Sequence, residues 1–328
     1  MRSWFFLLAC NLMWALQFTC VKLVQDQVGP FFTVWGPMTL ATLMLIPLVM
    51  WDQRHSSSHG ERSRRDAFTF FLLAALGIFP GQVLITWGTR WSLASNAALL
   101  MLTLPVSTAF LAYLFLGERM TPVRWLSFSF AIAGVVMCSD VHFSNLHFGK
   151  GFLAGNGLIF LGTLGSGFYN SYSKKVLLKF SPLQVLFYSY LGMITLLAPV
   201  VIAEEGSVFR HIAGFTARTW VGLGLLTFFH NFLSMVLFLK ALKQLDAIQA
   251  ALSNYLITFF GVPIAIVFLG ERSSLRAIIG GVIILGSTLL ITLWDNQAKQ
   301  SPPSAAGGAA VSAAMLPNNT SNGKAEAV

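Results

Sequence analysis

Apolar residues run along this chain in blocks of about twenty, separated by short polar gaps. The blocks lie near 4–24, 32–51, 67–88, 93–116, 123–140, 152–172, 182–203, 219–239, 247–269 and 275–294. An α-helix rises about 1.5 Å per residue and the hydrocarbon core of a bilayer is about 30 Å thick, so each block has the length of one crossing. The blocks are too long, and too rich in Leu, Phe, Ala and Gly, for barrel strands, which alternate over about 10 residues. The pattern predicts an all-α polytopic membrane protein with ten transmembrane helices. Blocks 67–88 and 93–116 meet through only a few polar positions around Arg90, so the count is nine if they fuse.

Composition agrees: 55% of the 328 residues are hydrophobic and 10% are charged, with a mean hydropathy of +0.70. Soluble domains carry about 25% charged residues, which excludes an ordinary soluble enzyme. The first block resembles a secretory leader in position, yet it holds Asn11, Trp14 and Gln17 and lacks a small-x-small cleavage site, so it is read as a retained helix. The net charge of +9 would suggest nucleic acid in a soluble protein. Here the basic residues fall in the gaps, and orientation explains them better. With the N-terminus inside, fourteen Lys and Arg face the cytoplasm and seven face outward, which puts both termini in the cytoplasm of a multi-pass cell (inner) membrane protein. Residues 297–328, rich in Ser, Pro, Ala, Gly and Asn, cannot bury enough apolar surface to fold and are expected to form a disordered cytoplasmic tail. Cys10, Cys20 and Cys138 lie inside apolar blocks without disulfide or zinc spacing. The expected partners are the lipid bilayer and a small-molecule solute, with no nucleic acid, metal or cofactor; the oligomeric state stays open.

The chain also matches itself at an offset of 152–153 residues. "NAALLMLTLPVSTAFLAYLFLGER" at 96–119 lies over "QAALSNYLITFFGVPIAIVFLGER" at 249–272, and Lys22 falls on Lys174, Pro30 on Pro182, Arg124 on Arg276 and Gly134 on Gly286. Each half then holds five spans, residues 1–141 and 142–296. Five is odd, so the two halves enter the membrane in opposite senses, as inverted repeats about an axis in the membrane plane. Glu118 is thereby placed inside and Glu271 outside.

At these residues the chain resembles the EamA-type transporters of the drug/metabolite transporter superfamily. The resemblance rests on "WALQFTCVK" at 14–22 followed by Pro30, "LFLGER" at 114–119, "FYNSYSKK" at 168–175 followed by Pro182, "FLKAL" at 238–242 and "VFLGER" at 267–272, and it covers roughly residues 3–295. It implies two five-helix repeats, transport of a small solute by alternating access, and an outward direction. Second helices in this family often carry an Arg a couple of turns after the Pro. Here that stretch reads "WGPMTL", which points to neutral or zwitterionic solutes.

Polar side chains inside spans are costly and usually face a bundle interior or a water-filled cavity. Those singled out as substrate-binding are Trp14, Gln17, Gln82, Trp87, Tyr169, Asn170, His230, Asn231 and Asn254. Amides and aromatic rings of this kind can hydrogen-bond and stack a small metabolite such as an amino acid or a related polar or aromatic solute. They equally serve as glue between helices, where a single hydrogen bond averages about 0.6 kcal/mol. His230 is also the candidate for proton coupling, since its reference pKa of about 6.5 suits uptake and release within a transport cycle. A neutral His donating to a neighbouring carbonyl is the alternative. Glu118 and Glu271, beside Arg119 and Arg272 at helix ends, are read as structural groups that pin turns, and Lys22 and Lys174 as interfacial residues.

Three classes compete. A secondary transporter leads, with an uptake or exchange carrier as its variant. An intramembrane enzyme is disfavoured because no G-x-S-x-G, no H-E-x-x-H and no membrane carboxylate pair occurs. A channel or scaffold lacks a filter sequence or a charged stripe to support it. The orientation is directly testable: a fluorescent protein fused after Val328 is expected to fluoresce in intact cells while alkaline phosphatase at the same place stays inactive, and the reverse pattern would place the C-terminus outside.

Overall fold

The computed structural model describes residues 2–55, 64–116, 121–138 and 150–245, and beyond them 247, 250, 253–271, 274–276, 278–283, 285–286, 290 and 294. The expected tail, the junction between the two halves at 141/142, and Glu118 with Arg119 lie outside the described residues. Among the described residues, nine long helices coincide with the first nine apolar blocks: α1 (Arg2–Val24), α2 (Pro30–His55), α3 (Arg64–Trp91), α4 (Ala94–Phe115), α5 (Pro122–Cys138), α6 (Lys150–Val176), α7 (Pro182–Glu205), α8 (Ala217–Gln244) and α9 (Tyr255–Leu269). Within block 275–294 the described residues are helical as well, and no strand occurs among the described residues. Among the described residues, six helices, α1 to α4, α7 and α8, are long and apolar enough to cross a membrane, with mean hydropathies of 1.6 to 2.1. Large apolar side chains such as Phe5, Leu43, Phe68, Val267 and Phe268 are exposed. In a membrane protein that surface is lipid-facing.

The sequence sets where helices stop. α3 and α4 are separate because Ser92 and Leu93 are extended (ψ −179° and 148°), which settles the junction around Arg90 as a break. Ser181 caps α7 in a full capping box with Gln184, and Pro182 occupies the first helical turn, where its missing N–H costs nothing. α9 ends on Gly270, whose φ of 65° is the left-handed conformation open to glycine.

The inversion of the two halves is visible in how α2 packs against α7. These helices start at the equivalent residues Pro30 and Pro182 and run antiparallel, each supporting the other's N-terminus. Glu205, at the C-terminal end of α7, accepts from the backbone N–H groups of Phe31 (3.0 Å) and Phe32 (2.7 Å) at the start of α2. A side chain at Gly29 would collide with that carboxylate. In return Asp52, near the end of α2, accepts from the Ser181 hydroxyl that caps α7. Between these ends, Trp35 Nε1 donates to the carbonyl of Ile194 at 3.2 Å.

The two interfacial lysines make equivalent contacts one repeat apart. Lys22, at the end of α1, donates to the carbonyl of Arg90 at 3.1 Å, closing the C-terminus of α3. Lys174, at the end of α6, donates to the carbonyls of Leu242 (2.8 Å) and Leu245 (2.7 Å), closing the C-terminus of α8. Both meet orphan carbonyls at the negative end of a helix dipole. Arg90 reaches back to the carbonyls of Gln25 and Val28 and ties the α1–α2 turn to the same place. Glu271 is structural in a longer-range way than a local turn: it accepts from the N–H groups of Ala94 (2.9 Å) and Ser95 (2.8 Å), capping α4 in the other half.

Packing does not follow the halves of the chain. The first helix of each repeat lodges in the other one, α1 against α8 and α9, and α6 against α3 and α4. The α3–α6 contact brings backbones together through glycines. A Cβ at Gly165 would lie 2.8 Å from the backbone nitrogen of Gly81, one at Gly162 would lie 2.9 Å from the carbonyl of Pro80, and one at Gly88 would strike the carbonyl of Gly155. Small residues permit such approach in a membrane, where close packing rather than the hydrophobic effect holds helices together. Replacing Gly88 by Val is therefore expected to destabilise the protein by about 1–3 kcal/mol, read as a lower melting temperature in detergent. The control is Gly157→Ala on the facing helix α6, where a Cβ meets nothing within 4 Å; equal melting of the two variants would remove the glycine contact as a determinant.

Candidate functional site

At the middle of the bundle α1, α3, α6, α7 and α8, with α4 and α9, enclose a cavity of about 60 Å³. That space holds a few waters. Ligand pockets usually measure about 300–1,000 Å³, so a larger occupant requires these helices to part.

Two of the lining helices depart from α geometry beside the cavity. α3 is π-helical over Leu73–Leu84 and α8 over Leu226–Leu233. The two stretches begin one repeat apart, at an offset of 153, and π-helical insertions concentrate at functional sites. Pro80 lies within the first stretch and denies it one backbone N–H. The second contains no proline. There Asn231 Nδ2 donates to the carbonyl of Leu226 at 2.9 Å, five residues back, while the Asn231 carbonyl accepts from the Tyr190 hydroxyl at 2.8 Å.

Six of the nine residues singled out in the sequence line the cavity: Trp14, Gln17, Gln82, Tyr169, Asn170 and His230. The other three lie elsewhere. Trp87 packs edge-on against Phe31 and Trp91, with ring centroids 5.4 and 5.6 Å apart. Asn231 supports the π stretch. Asn254 is fully buried at the N-cap of α9, outside the cavity lining. Two further polar residues inside spans act as glue. The Asn156 carbonyl oxygen accepts from Ser92 and Asn96, both at 2.7 Å, and Asn11 donates to Ser253 at 3.0 Å.

A hydrogen-bond chain crosses the cavity wall. Gln17 Nε2 donates to Gln82 Oε1 at 3.4 Å, and His230 Nε2 lies 3.2 Å from the same oxygen. Since Gln82 Oε1 only accepts, the network assigns the proton of a neutral imidazole to Nε2 and leaves Nδ1 as an acceptor. Four lining atoms are buried without a hydrogen-bond partner: Trp14 Nε1, Tyr169 Oη, Asn170 Nδ2 and His230 Nδ1. A polar atom left in that state costs about 1–3 kcal/mol, so the wall carries two donors, one acceptor and one hydroxyl of either polarity that an occupant would satisfy. No Asp, Glu, Lys or Arg is among the lining residues.

Sequence reading missed the apolar part of the wall, including Phe18, Ile85, Met235 and Phe238. The duplication was the signal that could have found it. Trp14, Gln17 and Phe18 are equivalent to Ser166, Tyr169 and Asn170 at offset 152, and Gly77, Gln82 and Ile85 to His230, Met235 and Phe238 at offset 153; all twelve line the cavity. One scaffold is thus used twice with different side chains.

Comparison with known proteins agrees with this architecture. The model of the EamA-like transporter family matches the chain twice, over residues 1–139 and 153–293. A protein of Streptantibioticus cattleyicolor named "Probable terminal-alkyne amino-acid exporter" is 27% identical over 285 residues, covering 85% of this chain and 89% of the relative. An S-adenosylmethionine uptake transporter of Rickettsia felis is 24% identical over 280 residues, covering 84% and 87% respectively. An uncharacterised transporter of Archaeoglobus fulgidus is 22% identical, covering 89% of this chain and 99% of the relative. One crystal structure superposes with a TM-score of 0.66 at 16% identity, covering 91% of this chain and 99% of that one, a likeness of fold.

Proposed function

The chain belongs to the EamA-like transporter family, and from that premise we propose that it exports a small neutral or zwitterionic metabolite, such as an amino acid or a related polar or aromatic solute, across a cell membrane. The observation that carries this reading is the central cavity, which is lined by amides and aromatic rings, contains no charged side chain and holds four buried polar atoms without partners. A charged solute would need a counter-charge in so dry a place, whereas a neutral or zwitterionic one needs paired donors and acceptors. Narrowness supports alternating access. A cavity of about 60 Å³ admits a metabolite only when helices on one face of the bundle separate, and inverted repeats provide two such faces around one midplane site. Direction rests on the relative named as an amino-acid exporter. Uptake is the second reading, favoured by the relative named as an S-adenosylmethionine uptake transporter.

The test is untargeted mass spectrometry of spent medium and cytosol from cells overproducing the protein, set against cells with the Asn170→Ala/His230→Ala variant at matched membrane abundance. Export predicts a small set of solutes enriched several-fold in the medium and depleted in the cytosol only with the intact protein. The opposite distribution would establish uptake. Identical profiles would overturn the assignment of the cavity as the transport site.

A further inference from the structure

Among the lining residues, four unpartnered atoms sit on three different helices: Trp14 Nε1 on α1, Tyr169 Oη and Asn170 Nδ2 on α6 and His230 Nδ1 on α8. The Tyr169 hydroxyl can donate or accept, whereas the other three have a fixed polarity. Asn170 and His230 are each only 4% exposed, so bulk water does not serve them. Their polarities differ. Indole and amide nitrogens can only donate, and His230 Nδ1 can only accept while Nε2–H is engaged by Gln82 Oε1. Gln17 donates to that same oxygen, which keeps it turned toward the donors and so keeps the imidazole in one tautomer.

We propose that Trp14, Asn170 and His230 are the selectivity residues of the cavity: Trp14 and Asn170 donate to a carboxylate or carbonyl of the solute, His230 accepts from an adjacent N–H, and Gln82 acts as the positioning residue that fixes the His230 tautomer. This rests on the reading of the cavity as the transport site and adds which groups of the solute are recognised, and by which atoms. The apolar body of the solute faces Phe18, Ile85, Met235 and Phe238, which offer no polar atom. A solute lacking the N–H leaves His230 Nδ1 buried and unpaired, and one lacking the acceptor leaves both donors unpaired. Sites built to pair a buried polar group reject an analogue without its partner far more strongly than apolar pockets reject a missing methylene.

The device predicts selectivity changes of opposite sense from substitutions at the two donors and at the acceptor, which a loss of structure would not produce. The experiment measures dissociation constants by titration calorimetry on the purified full chain in detergent. The probes are leucine, its deaminated analogue 4-methylpentanoate and its decarboxylated analogue 3-methylbutylamine. The intact protein is expected to bind leucine about tenfold or more tightly than either analogue. His230→Phe is expected to close the gap to 4-methylpentanoate while keeping the gap to 3-methylbutylamine. Trp14→Phe and Asn170→Leu are expected to do the reverse, and Gln82→Met to weaken the amine preference alone. Equal binding of the three probes by the intact protein, no binding of leucine, or a parallel loss for all probes in every variant would each overturn the proposal. The medium profile of intact and variant cells separates that failure from failure of the transport reading, because export of any solute by the intact protein leaves the latter standing.

Discussion

The structure depends on the rule that a bilayer core offers no water to an unpaired backbone group. Each helix end exposes N–H or C=O groups, and this chain serves many of them with charged side chains drawn from distant positions. Glu205 closes the start of α2, Glu271 the start of α4, Lys22 the end of α3 and Lys174 the end of α8. A chain with 10% charged residues thus places several of them at the rims of the bundle. The central wall contains none. The chemistry of the cavity follows from that distribution, because what remains at its centre is amide, indole, imidazole and hydroxyl.

Duplication supplies the scaffold, and divergence supplies the site. Capping contacts keep the symmetry: Lys22 and Lys174, and the carbonyls of Arg90 and Leu242, correspond at one offset. The lining positions keep their places but not their residues. Gly77, on which Tyr169 packs closely, has His230 as its counterpart, and Gln82 has Met235. Selection for folding preserves equivalent contacts in both halves. Selection for a bound solute does not, since a small asymmetric molecule meets the two halves with different atoms.

Much of the fold was legible in the sequence because bilayer thickness sets block length, and because Pro30, Ser181 with Pro182, and Gly270 mark helix ends with known backbone requirements. The break between α3 and α4 was legible only in part: the polar positions around Arg90 separated two blocks but left their fusion open. Neither proline nor glycine occurs at Ser92 and Leu93, and only their dihedral angles settle it. The long-range caps were hidden, since nothing local connects Glu271 to Ala94. Of the candidate site, the polar positions on α1, α3, α6 and α8 were found because an intramembrane amide or imidazole must have a purpose. Trp87, Asn231 and Asn254 share that chemistry but lie off the cavity, because one-dimensional sequence does not say which side of a helix a buried polar group faces. Tyr190 and the methionine and phenylalanine walls escaped notice because apolar lining and apolar core look alike until the helices are assembled.

Packing also changes what alternating access can mean here. The halves of the chain are not the halves of the bundle, since α1 sits with α8 and α9, and α6 with α3 and α4. The backbone contact between α3 and α6 leaves no room for side-chain adjustment at Gly88, Gly155, Gly162 or Gly165. Helices joined at that distance move together, because separating them forfeits dispersion contacts over their whole length. On the alternating-access reading, the bodies that part around the cavity are the exchanged sets. Opening then passes through the Gln17, Gln82 and His230 contacts, where α1 and α8 on one side meet α3 on the other. These are hydrogen bonds of 3.2 and 3.4 Å between neutral groups, worth about 0.6 kcal/mol each in a membrane. The glycine-packed contact is rigid and the polar contact is weak, and that difference is what a bundle needs to separate along one surface and hold along another.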